Sequence, residues 1–191
     1  MPPVTHEQAP DPAGAHGYLS RREMDRFNEC VLPYLDAAYN LAHYLIRDPH
    51  EAEDAVQEAF LRAIRHFAGF RGVDGRTWLL SIVRNTCFTQ LRRRRSGGQT
   101  IEFEEQMHSG EEQAGPETDL AHTIAVERLH EGLGQLADEF REVLVLRELE
   151  GLSYKEIAQV AGVPIGTVMS RLARGRRQLS VVLAARPEEG G

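Results

Sequence analysis

The sequence predicts an all-α protein: two small helical domains joined by a flexible acidic linker. Three observations predict it. Apolar residues recur at three- and four-residue spacings in two separate blocks, and no stretch shows the alternation of a half-buried strand. Between the blocks, residues 96–120 hold seven carboxylates and no lysine or arginine. Proline, glycine and capping residues fall where the apolar stripes start and stop. The chain therefore divides into a flexible lead (1–20), a first helical block (21–95), the acidic linker (96–120), a second helical block (121–184) and a short tail (185–191).

In the first block, Leu35, Ala38, Tyr39, Ala42, Leu45 and Ile46 form one helical stripe, with Pro33 at its start. Asp48 and Pro49 supply a cap and a first helical residue for the next helix, and Glu51 gives it the spacing of a capping box. Ala52, Ala55, Val56, Ala59, Phe60, Ala63, Ile64 and Phe67 make its apolar face. Asp54, Gln57, Glu58 and Arg62 lie opposite; by residue type alone, such a stripe reads as a solvated surface. "FRGVDGR", with Gly72 and Gly75, is a loop. "TWLLSIVRNTCFTQLRRRR" is then one helix, buried through Trp78, Leu79, Ile82, Val83, Cys87 and Leu91 and ending in four arginines.

Arg84 and those four arginines put five positive charges and no negative one into residues 84–95. A run of arginines serves some helices as a solubilising end. Crowded like charges repel, however, so a neighbouring polyanion explains the cluster better. Trp78 is the only tryptophan; it reads as core, with stacking on an unpaired base as the alternative.

In the second block a helix begins at about Asp138, which is placed to cap it. "LSYKEIAQVAGVPIGTVMSRLARGRRQL" follows. Ser153 and Glu156 have capping-box spacing, Gly162 suits a left-handed helix end, and Pro164 suits the first turn of a new helix. The result is helix, tight turn, helix. Val168, Leu172, Gly175 and Leu179 share the inner face of the second helix, leaving Thr167, Ser170, Arg171 and Arg174 to the other. Hydroxyls and arginines on an exposed helix after a tight turn are the equipment of a major-groove reader. Gly175 is out of place there, since glycine inside a helix costs about 1 kcal/mol relative to alanine.

The whole chain has 191 residues, 41% of them hydrophobic, which is enough for real cores. Its net charge of −7 argues against a nucleic-acid partner until the linker is set aside, after which acidic and basic residues are equal in number. Cys30 and Cys87 are far apart, with no CxxC, and are expected to be free thiols in a reducing compartment. The first residues lack a basic start and an apolar run, and no stretch is long enough to span a bilayer, so a cytoplasmic protein without membrane insertion is expected. No histidine or cysteine spacing calls for a metal, and no glycine-rich loop calls for a cofactor.

Two basic helices on two modules point to one protein touching DNA at two places. "DPHEAEDAVQEAFLRAIRHFAGFRG" followed by "RTWLLSIVRNTCFTQLRRRR" resembles region 2 of a sigma-70 family RNA polymerase sigma factor of the extracytoplasmic-function (ECF) type. "LGQLADEFREVLVLRELEGLSYKEIAQVAGVPIGTVMSRLARGRRQL" resembles region 4. The resemblance covers about residues 25–180, with both regions in order and region 3 absent.

It implies a promoter-specificity subunit whose partners are core RNA polymerase (the β′ clamp helices and the β subunit), promoter DNA and an anti-sigma factor. By this resemblance Asp54, Gln57, Glu58 and Arg62 dock on the clamp helices, which replaces the solvated reading of that face. Phe70, Arg71, Asp74, Trp78, Arg84, Asn85, Arg92 and Arg93 fall in the part that opens the −10 element and holds a flipped base. Thr167, Ser170, Arg171 and Arg174 fall in the reader of the −35 element, and the acidic linker resembles the connector that runs through polymerase. The chain departs from the family in "LADEF", which lacks a Leu-Pro common there, and in Gly175, where alanine is commoner. The rival readings are a polymerase-independent helix-turn-helix regulator and a nucleic-acid-processing enzyme; for the latter, Asp54 and Glu58 lack a third metal ligand.

Overall fold

The computed structural model describes residues 19–72, 74–96 and 118–185, so nearly all of the expected lead, linker and tail lie outside the described residues. No strand occurs among the described residues. The first module holds α1 (Arg21–Cys30), α2 (Leu35–Ile46), α3 (Pro49–Phe67) and α4 (Gly75–Ser96). The second holds α5 (Thr118–Gly134), α6 (Asp138–Leu144), α7 (Tyr154–Ala161) and α8 (Ile165–Ala184).

A capping box between Ser20 and Glu23 starts α1, a helix the apolar pattern had not singled out. Its buried Phe27 meets Phe60 and Phe67 edge-on, at 6.2 and 5.1 Å between centroids. Pro33 sits in a 3-10 turn that leads into α2. Asp48 caps α3 by accepting from the Glu51 amide at 2.9 Å. The expected box is only half made, because the Glu51 carboxylate forms an ion pair with Arg94 of α4.

Helix α4 starts at Gly75, earlier than expected, and Asp74 caps it by accepting from the Thr77 amide at 3.0 Å. A Cβ on Gly75 would lie 1.9 Å from the Cys30 carbonyl oxygen, so glycine lets the end of α1 cross the start of α4. Leu79, Leu80, Val83, Thr86 and Cys87 are buried, whereas Trp78, Ile82 and Leu91 lie at the edges. Fully buried Ala38, Ala42, Ala52, Ala55, Ala59 and Ala63 let α2 and α3 approach closely around Leu41, Leu45 and Phe67. Both cysteines are free thiols, and burial pushes Cys87 up to about 12.

In the second module, α6 runs into a π turn (Val145–Leu149). Asp138 does not cap α6: Ala137 holds that position, and the Asp138 carboxylate is taken by Arg95 at 2.6 Å and Arg141 at 3.5 Å. Gly175 is buried where α8 crosses α6; a Cβ there would lie 3.1 Å from Leu144 Cδ1 and 3.3 Å from Phe140 Cβ. Close helix packing therefore accounts for it. The two modules also pack on one another, α4 against α7 and α2 against α5 and α6. Nothing in the apolar pattern announced that contact.

Candidate nucleic-acid interface

Along the seam between modules, charged side chains face each other. Arg76 donates to the Glu150 carbonyl at 2.7 Å and to its Oε2 at 2.9 Å, while Asn40 donates to Oε1 at 3.2 Å. Arg84 Nε donates to Glu142 Oε1 at 2.7 Å, and its guanidinium lies 4.3 Å from the Phe88 ring centroid. Glu142 is fully buried, and its second carboxylate oxygen has no hydrogen-bond partner. Burial raises its pKa, and Arg84 pulls against that rise. Arg141 is buried and donates to the carbonyls of Leu133, Leu136, Gly134 and, across the seam, Leu45, at 2.7–3.3 Å.

Nearby, His43 of α2 stacks on His130 of α5, 4.8 Å between centroids and 6° from parallel. Burial lowers both pKa values. That of His130 falls to about 4, with further lowering from His43, Arg47 and Arg141. Both imidazoles are therefore neutral at pH 7.

The residues expected at the −10 element are divided by this arrangement. Arg71 and Asp74 are exposed, with Asp74 also serving as the cap of α4. Phe70 is only 7% exposed and packs against Trp78 at 4.6 Å and Phe67 at 5.6 Å, beneath the Arg26 guanidinium. It belongs to the wall under the loop. Trp78 is half-buried, with part of its ring at the surface. Asn85, Arg92 and Arg93 are exposed along α4, but Arg84 is held by Glu142.

The helix-turn-helix forms as its caps dictate. Ser153 and Glu156 make the full capping box, and Gly162 takes the left-handed conformation, φ 67°, that turns the chain toward α8. Ser170 and Arg174 are exposed; Thr167 and Arg171 are half-buried on its flanks. Arg171 opens into the same cleft as Arg84, Arg95, Asp138 and Glu142. One expected reader of each promoter element thus lines one cleft between the modules.

On α3, Asp54 and Gln57 are exposed, and half-buried Glu58 and Arg62 pair at 2.5 Å. Leu61, 54% exposed, sits among them. Residue-type reasoning passed over Leu61, as it passed over Met169 and Arg177 beside Ser170 and Arg174 on α8. Helical spacing was the signal that would have found them.

With this geometry in hand, comparison with known proteins is direct. Residues 30–97 match the family described as Sigma-70 region 2, and residues 126–179 match Sigma-70, region 4. The chain is 35% identical over 173 residues to the RNA polymerase sigma-H factor of Pseudomonas aeruginosa, covering 86% of this chain and 90% of the relative. It is also 35% identical over 166 residues to the ECF RNA polymerase sigma factor SigE of Mycolicibacterium smegmatis, covering 87% of this chain and 65% of that longer relative. The chain is a sigma-70 family factor of the ECF type. The sigma factor also superposes on RpoE of Bartonella quintana, solved in complex with the anti-sigma factor NepR. The TM-score is 0.71 and the identity 28%, over 84% of this chain and 98% of that one. None of the sigma factor's described helices is long and apolar enough to cross a membrane.

Proposed function

We propose that this sigma factor acts in the cytoplasm as the promoter-specificity subunit of RNA polymerase and does no covalent chemistry of its own. One observation carries the reading: region 2 and region 4 stand in that order on one chain. Residues 21–95 serve as the polymerase-docking and −10 module, and residues 121–184 as the −35 module. Asp54, Gln57, Glu58 and Arg62 dock on the β′ clamp helices. That face suits the role because it is left uncovered by the second module.

At the −10 element, Arg71, Asp74 and the exposed part of Trp78 hold an unstacked base, with Phe70 fixing the tryptophan from below. Arg84, Asn85, Arg92 and Arg93 follow the strand. Each opened step costs about 1 to 2 kcal/mol of stacking, which contacts made only with the open strand offset. Ser170 and Arg174 face the −35 element from α8, with Thr167 and Arg171 on its flanks. Because Arg84 and Arg171 share one cleft, they reach two separate DNA elements only when the modules part.

The closed arrangement is then the inactive one, held by an anti-sigma factor. The likeness over nearly the full length of RpoE, a sigma factor solved with its anti-sigma factor, supports this. Run-off transcription with core polymerase tests the whole reading. The sigma factor should create start sites that share two spaced upstream elements, and Asp54→Ala with Glu58→Ala should abolish them along with polymerase binding. Duplex binding by the chain alone, with no new start sites, would favour a free-standing regulator.

A further inference from the structure

Helix α8 has four arginines and no acidic residue over Ile165–Ala184. That charge calls for a polyanion against its open side, and the exposed Arg174 and Arg177 are placed to hold phosphates there. Between them and the start of the helix stands an apolar residue outside the core, Met169, 54% exposed. Its neighbours along the open face are Ile165, 46% exposed one turn before it, and two small residues. A Cβ on Gly166 would meet nothing within 4 Å, and Ala173 is exposed one turn further on. Neither glycine nor alanine is needed there for packing. Together they keep the helix surface low on both sides of the methionine.

The polar candidates on this helix are less free than their residue types imply. Ser170 Oγ donates to the Thr167 carbonyl at 3.0 Å, so its proton is already used and it faces outward only as an acceptor. Thr167 itself is half-buried. In a major groove the one apolar group on a base edge is the thymine C5-methyl, and the first turns of a recognition helix are the ones that reach base edges.

We infer that Met169 reads a thymine in the −35 element by burying that methyl group, with Gly166 and Ala173 clearing the approach and Arg174 and Arg177 fixing the register on the backbone. The inference rests on the promoter-recognition reading and adds the chemical basis of one base preference.

The test uses holoenzyme assembled from core polymerase and the full-length sigma factor. Duplexes with a randomised upstream element are selected for binding. In the selected sequence, each thymine is then replaced singly by deoxyuridine, which lacks only the methyl. At one position binding should weaken about fourfold, the worth of one buried methyl-sized group. Met169→Ala should weaken binding to the thymine duplex by about the same factor and be indifferent to deoxyuridine at that position. Unchanged thermal unfolding of Met169→Ala will show that the exposed site is not structural. Insensitivity to deoxyuridine at every position would overturn the inference, as would a Met169→Ala holoenzyme that discriminates as the parent does. Loss of anti-sigma binding by Met169→Ala with thymine discrimination intact would assign the side chain to a protein contact, again overturning it. If no upstream sequence is selected at all, the promoter-recognition reading itself fails and takes this inference with it.

Discussion

Replacing Arg84 by methionine keeps most of the stem that packs on Phe88 but removes the hydrogen-bonding partner that a fully buried carboxylate has among the described residues. Breaking a buried pair from one side costs about 3 to 5 kcal/mol, because the remaining charge stays desolvated. Arg84 is 23% exposed and the raised pKa of Glu142 eases proton uptake, so the lower end, about 3 kcal/mol, applies. The converse change costs less. With Glu142→Met, Arg84 keeps its solvent contact, the Phe88 ring and the Asn85 side-chain oxygen 3.2 Å away. Native-state hydrogen exchange of backbone amides in α6 and α7 reads the difference. Arg84→Met should speed exchange about a hundredfold and Glu142→Met less than about fivefold, while the double variant should return close to the parent. Equal effects of the two single changes, adding up in the double variant, would refute the claim that Glu142 is a buried charge held chiefly by Arg84.

Two further perturbations follow from the packing and the protonation states. Gly75→Ala drives a Cβ into the Cys30 backbone carbonyl and should cost about 1 to 3 kcal/mol in urea unfolding. Gly175→Ala gains about 1 kcal/mol of helix propensity but sets its Cβ 3.1 Å from Leu144 Cδ1 and 3.3 Å from Phe140 Cβ, so the two offset and its net effect should stay within about 1 kcal/mol of zero. Lowering the pH from about 6.5 toward 4 should loosen the seam. A histidine with a lowered pKa binds its proton more readily once the modules part, so closed-state stability is complete above 6.5 and is lost as the pH falls. Glu142, with its raised pKa, acts in the opposite sense. His130→Phe should therefore reduce the acid expansion seen by small-angle scattering, or reverse its sign; an unchanged expansion would show that the histidine pair does not drive it.

The helices that bury a stripe were legible because apolar periodicity and caps are local properties: α2, α3, α7 and α8 follow from Leu35 to Ile46, Asp48, Ser153 and Gly162 as read. Helix α1 was not singled out, since it buries only Phe27 and is mostly polar. Asp138 and Glu51 were assigned to caps by position, but longer-range partners, Arg95 and Arg94, compete for their carboxylates. The family motifs were legible in both modules, where residues 30–97 and 126–179 match regions 2 and 4. Burial decides what those motifs leave open: Phe70 lies beneath the loop, Arg84 is committed to Glu142, and Met169 and Leu61 stand exposed.

The chemistry of the seam bears on how such a protein can be switched. The buried apolar residues form one cluster that runs from Leu41, Leu45, Phe67 and Leu79 in one module to Val143, Leu146, Ile157 and Leu172 in the other. Between the modules also lie arginine–carboxylate pairs, an unpaired Glu142 oxygen and two stacked histidines with unpaired ring nitrogens. Buried ion pairs add little net stability because desolvation cancels most of their attraction, so these polar groups specify one closed geometry and the apolar contacts around them hold it. The balance between closed and open then shifts toward whichever form a partner binds better. Under the proposed function, polymerase and DNA would compete for the arginines that the seam employs, and an anti-sigma factor bridging the closed modules would oppose them.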